Sequence, residues 1–85
     1  MAYRLALSPR ASRDLKKLPA RAQERLKDQI DALANAPRPR GVVKLEGETN
    51  TYRIRVGGYR VLYEVHDQVL LVIVLKVADR KEAYR

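Results

Sequence analysis

The chain contains no cysteine, no tryptophan and no phenylalanine, and it has a single histidine. Disulfides and cysteine-ligated metal sites are therefore excluded, and one imidazole cannot make a histidine cluster, which removes most zinc chemistry. Any catalysis is expected to proceed without a metal or other cofactor. The core has to come from Leu, Val, Ile, Ala and the ring faces of some of the five tyrosines. Long apolar runs are also missing. The longest, Val69 to Leu75, falls far short of the ~20 residues a bilayer span needs, and "MAYRLALSPR" holds too short an apolar stretch for a signal peptide. The expectation is a cytoplasmic protein with no membrane partner. Acidic residues are scarce relative to basic ones, ten Asp and Glu against eighteen Lys and Arg, and the resulting net charge of +8 favours a polyanionic partner, nucleic acid or acidic protein. Eighty-five residues suffice for one domain, 1–85, with a thin core.

"YRLAL" alternates, with Tyr3, Leu5 and Leu7 on one face, and predicts a short strand. Ser8 and Pro9 read as the N-cap and first residue of a helix. Its apolar positions Ala11, Leu15 and Leu18 carry it about three turns, up to Pro19. Beyond the break, Ala22, Leu26, Ile30 and Leu33 form the stripe of a second amphipathic helix ending near Ala34. "NAPRPRG" is a connector, because its prolines cannot continue a helix. A short or irregular strand is expected around Val43 to Leu45. Tyr52 to Val56 alternates again, Gly57-Gly58 supplies the positive φ values of a tight hairpin, and Tyr59 to Val65 returns. "HDQ" turns the chain into Val69 to Val77, apolar enough to be covered on both faces and therefore central. "ADRKEAYR" is a polar tail with one possible helical turn. The predicted class is α+β: a small antiparallel twisted sheet, order β-α-α-β-β-β, with the N-terminal helical hairpin packed on one face and a short C-terminal helical turn.

This arrangement leaves the opposite sheet face to Arg53, Arg55 and Arg60. One reading is that an outer face simply needs soluble residues. However, neighbouring like charges repel, and Thr, Lys, Gln or Glu would serve as well. Arg53 and Arg55 lie about 6.6 Å apart along their strand, and the hairpin brings Arg60 beside them. Glu64, on the same face by parity, could neutralise part of the patch. Convergent guanidiniums suit a phosphate, since each offers planar bidentate donors and keeps its charge. An RNA phosphodiester fits best, because its own 2′-hydroxyl can attack the phosphorus while the protein orients the chain and stabilises the transition state. The proton-transfer groups are less evident. His66 reads as an exposed turn residue. Tyr84, four residues after Arg80, reads either as an anchor for the tail or as a phenol whose pKa neighbouring cations would lower. Tyr3, Tyr52, Tyr59 and Tyr63 fall with the core.

In order and spacing, "LSPRASRDLKKLP", "VVKLEG", "YRIRVGGYRVLYEV" and "VADRKEAY" resemble the RelE toxins of the RelE/ParE toxin–antitoxin superfamily, over nearly the whole chain. The resemblance implies a toxin that is a ribosome-dependent endoribonuclease, cutting messenger RNA in the A site by 2′-hydroxyl attack and held in check by a cognate antitoxin. It implies that Arg60 and Arg80 stabilise the transition state, that Tyr84 or a neighbouring basic residue transfers protons, and that Arg53, Arg55 and Lys81 hold RNA. The family's basic pair is usually lysine. Arginine at 53 and 55 keeps the charge but does not readily release a proton. The ParE branch, which shares the fold and poisons DNA gyrase, is the alternative, as is a module that only binds antitoxin or RNA.

Overall fold

In the computed structural model, residues 2–79 are described. β1 (Arg4–Leu7) leads into α1 (Pro9–Lys16) and α2 (Ala20–Ala32). The chain then forms β2 (Val43–Lys44), β3 (Thr51–Val56), β4 (Tyr59–His66), a 3-10 turn over Asp67–Val69, and β5 (Leu71–Asp79). The predicted C-terminal helical turn lies outside the described residues. Ser8 caps α1 as expected, its Oγ accepting the Ala11 N–H at 3.0 Å. α1 is shorter than three turns, because Leu18 precedes Pro19 and is pushed out of helical conformation. Pro19 starts α2 without a side-chain cap. Gln23 instead ties the start of α2 to the preceding turn, its Nε2 donating to the Leu18 carbonyl at 2.8 Å.

The sheet order is β1-β5-β4-β3-β2. β5, β4, β3 and β2 are antiparallel neighbours, but β1 runs parallel to β5, with Arg4 beside Leu71 and Leu7 beside Val74. The sheet is therefore mixed, where a purely antiparallel one was expected. Alternation marks a strand and its buried face but not its direction. Direction follows from the two helices, which carry the chain across the sheet and leave β1 on the free edge of β5. β5 also starts later than Val69, because Leu70 takes a left-handed conformation at φ 51° and hands Val69 to the turn.

Helices and sheet meet in one core. Tyr52, Ile54, Val56, Val61, Tyr63, Val65, Val72, Val74 and Val77 point to the helix side and pack with Ala11, Leu26, Ile30 and Leu33. Tyr3 and Tyr59 pack partly against this cluster. The alternation breaks once. Leu62 pairs with Lys76 but Tyr63 pairs with Val74, so Leu75 is an extra residue in β5. α1 secures this bulge from both sides: the Ser8 hydroxyl donates to the Leu75 carbonyl at 2.7 Å, and Asp14 Oδ2 accepts the Val77 N–H at 3.0 Å.

Of the hairpin glycines, only Gly57 has positive φ, 60°. The turn therefore has the form that requires glycine at its first central position alone. A Cβ on Gly57 would lie 3.1 Å from Arg25 Nη1, whereas one on Gly58 would meet nothing within 4 Å. Gly57→Ala should destabilise the fold by about 1 kcal/mol or more and Gly58→Ala by a few tenths at most, as read by urea denaturation. Equal effects would contradict the turn assignment.

Candidate functional site

The sheet face turned away from the helices presents its side chains in cross-strand rows. One row runs Val43, Arg53, Leu62, Lys76 over four strands. The next runs Arg55, Arg60, Ala78. Together they shape a depression lined by Leu45, Arg53, Arg60, Leu62, Lys76 and Ala78. A second hollow, lined by Gly41, Val43, Arg53 and Arg55, shares Arg53 as its wall. The three arginines that the sequence singled out are thus brought together. Arg55 and Arg60 stand directly opposite each other, the arrangement in which like charges repel most. Arg53 and Arg60 are half-buried and border an apolar floor of Leu45, Leu62 and Ala78, whereas Arg55 is exposed and lines the second hollow. Around such a floor, fixed cations act with less solvent screening than on an open surface.

Glu64 does not sit among the arginines. It lies opposite Thr51 and Ile73, and its Oε1 is 2.9 Å from His66 Nε2. His66 ends β4, half-buried, rather than standing in the turn itself. Arg80, Lys81 and Tyr84 lie outside the described residues.

Two features of the depression were not singled out from the sequence: Lys76 and the Leu45/Leu62 floor. Parity counted from Val72 and Val74 would send Lys76 into the core, and the bulge at Leu75 turns it to the arginine face. A signal was present. An ammonium is not buried unpaired, so a lysine at an inward position of an apolar strand marks a break in alternation.

The connector that leads into β2 is fixed by a clamp that sequence periodicity cannot show. Arg38 donates from Nη2 to Asp67 Oδ2 at 2.6 Å and from Nη1 to Oδ1 at 3.2 Å. Its Nε donates to the Tyr52 hydroxyl at 3.0 Å, and its guanidinium carbon lies 5.2 Å from the centre of the Tyr52 ring. The Tyr3 hydroxyl donates to Asp67 Oδ1 at 2.6 Å. The hydrogen bonds from Arg38 and then Tyr3 hold the Asp67 carboxyl below its ordinary range. The same contact with Asp67 raises the Arg38 guanidinium further and pushes the Tyr3 phenol up. The Tyr63 hydroxyl, donating to the Pro37 carbonyl at 2.7 Å, pins the connector from the core side. Gly41 and Val43 follow it into the second hollow.

With fold and site in view, comparison with known proteins is direct. Residues 5–84 match the family described as the ParE toxin of type II toxin–antitoxin systems, parDE, and the chain belongs to that family. It is 31% identical over 88 residues to a protein of Methanocaldococcus jannaschii named putative toxin RelE1, covering 100% of this chain and 98% of the relative. It is 33% identical over 85 residues to the mRNA interferase toxin RelE of Escherichia coli, covering 98% of this chain and 88% of that one. The fold superposes on an archaeal RelE-RelB complex from Pyrococcus horikoshii with a TM-score of 0.84 and 34% identity, over 94% of this chain and 97% of that chain.

Proposed function

We propose that this protein is the toxin of a type II toxin–antitoxin pair, a ribosome-dependent endoribonuclease that cleaves messenger RNA in the A site. The observation that carries the reading is the pair of rows that sets Arg53 and Arg60 around one apolar-floored depression, with Arg55 opposite Arg60 in the adjoining hollow. The relative named as an mRNA interferase supports it. The phosphodiester lies across the floor, Arg53 and Arg55 holding the chain and Arg60 meeting the charge that develops as the RNA's 2′-oxygen attacks phosphorus. From the sequence resemblance, Arg80 joins Arg60, Lys81 joins the RNA contacts and Tyr84 takes the 2′-hydroxyl proton. The family's ParE description favours a second reading, a gyrase poison. That activity gives no reason to set Arg55 directly opposite Arg60.

In this reading the protein works in the cytoplasm, and a cognate antitoxin silences it. Among the described residues no helix is long and apolar enough to cross a membrane. Among the described residues β1 is an edge strand, beside a groove with Leu5, Leu7, Leu15 and Ile30 at its base and Glu24, Lys27 and Asp31 on its α2 side, where an amphipathic segment that folds on binding could lie. The test of the nuclease is primer extension on a messenger in a programmed ribosome with an empty A site. A codon-phased cut supports the reading, and an intact messenger with unaffected translation rejects it. Tyr84→Phe should slow the cut by ~10²-fold or more while ribosome binding, followed by co-sedimentation, is retained. Loss of binding instead would make Tyr84 an anchor.

A further inference from the structure

Resting on the nuclease reading, we propose that Lys76 is the general acid of the cleavage, protonating the 5′-oxygen as it leaves. Three observations carry the assignment. Lys76 lines the same depression as Arg53 and Arg60. It stands in one row with Arg53, with Leu62 between them, so the two cationic residues flank the floor across about 10 Å of backbone, two strand spacings. One phosphodiester fits that gap, with a cation on each side and Arg60 in the next row. The third observation is that the outward turn of Lys76 is built. The bulge at Leu75 breaks the alternation of β5, and α1 binds the backbone on both sides of Lys76, through Ser8 at the Leu75 carbonyl and Asp14 at the Val77 N–H. Bulges recur next to active sites because they re-aim a side chain in this way.

The chemistry separates Lys76 from its neighbours. Leu45, Leu62 and Ala78 have no exchangeable side-chain proton, and a guanidinium is a poor proton donor. A lysine ammonium is protonated at neutral pH and can give a proton up. The 2′-hydroxyl passes its proton to the ionised phenol of Tyr84, the base proposed above, and the 2′-oxygen bonds to phosphorus. The P–O5′ bond breaks with its electron pair on the 5′-oxygen, which takes a proton from Lys76. Solvent then reprotonates the amine. The products are a 2′,3′-cyclic phosphate and a 5′-hydroxyl.

The test is single-turnover cleavage on programmed ribosomes of two messengers, one natural and one with sulfur in place of the scissile 5′-oxygen. A thiolate leaves without protonation, so loss of the acid is felt only with the oxygen leaving group. Lys76→Gln should cut the natural messenger ~10²-fold or more slowly than wild type and cut the sulfur messenger at close to the wild-type rate. Lys76→Arg, which keeps the charge but holds its proton, should behave like Lys76→Gln. Each variant's ratio between the two messengers is unaffected by any loss of folded protein. An equal defect on both messengers, or a natural rate near wild type in either variant, overturns the assignment while leaving the nuclease reading intact. A wild-type protein that cuts neither messenger overturns both.

Discussion

Replacing Arg60 with alanine should lower the rate of codon-phased cleavage by ~10²-fold or more, the usual loss when one preorganised donor to a developing charge is removed. Arg60 borders the floor of the depression and stands in the row beside Leu62. A phosphate lying on Leu62 therefore meets its guanidinium without a change of backbone. Arg60→Lys should recover only part of the rate, since an ammonium keeps the charge and loses the planar two-donor fork. The control is Arg4→Ala. Arg4 is exposed at the far edge of the sheet, and its removal lowers net charge equally while leaving the depression unchanged. Single-turnover primer extension reads all three. Similar losses in Arg4→Ala and Arg60→Ala would mean that overall charge, not local geometry, sets the rate.

Tyr63→Ala should destabilise the protein by about 3–5 kcal/mol, as for other large aromatic truncations. That approaches the whole stability of a domain this small. The residue is 0% exposed and stacks on Tyr52 with ring centres 5.9 Å apart. Tyr63→Phe keeps the ring and removes only the hydrogen bond to Pro37, for a loss of about 1–2 kcal/mol. Urea denaturation separates the two, and equal losses would place the stabilisation in the hydroxyl. Burial also pushes the Tyr63 phenol up to about 12. Its folded pKa exceeds its unfolded value near ~10, so its contribution is full below about pH 10 and is lost as pH rises through about 12. Tyr63→Phe should flatten that alkaline decline.

The strands and helices were legible because Leu, Val and Ile recur at the periods of 2 and 3.6 that burial imposes. The convergence of Arg53, Arg55 and Arg60 was legible because a two-residue hairpin leaves one register. The direction of β1 was not, since it depends on where two helices set the chain down. Lys76 was hidden by the one inserted residue at Leu75, which reverses parity for the rest of β5. The grip of Arg38 on Asp67 and Tyr52 joins side chains that no period relates. Each of these depends on contacts between residues far apart in the chain, to which local patterns are blind.

The parallel pairing of β1 with β5 has a kinetic consequence. Ser8 and Leu75, which bond across that seam, are 67 residues apart, so the contact closes a long loop. Such closure is slow relative to helix or hairpin formation. During synthesis, β1 and α1 emerge before β5 and wait for it before they have an edge to join. The seam that turns Lys76 outward therefore cannot form until β5 has been synthesised, so the arginine-lined depression is completed by the last of the described strands rather than by the hairpin that carries its arginines.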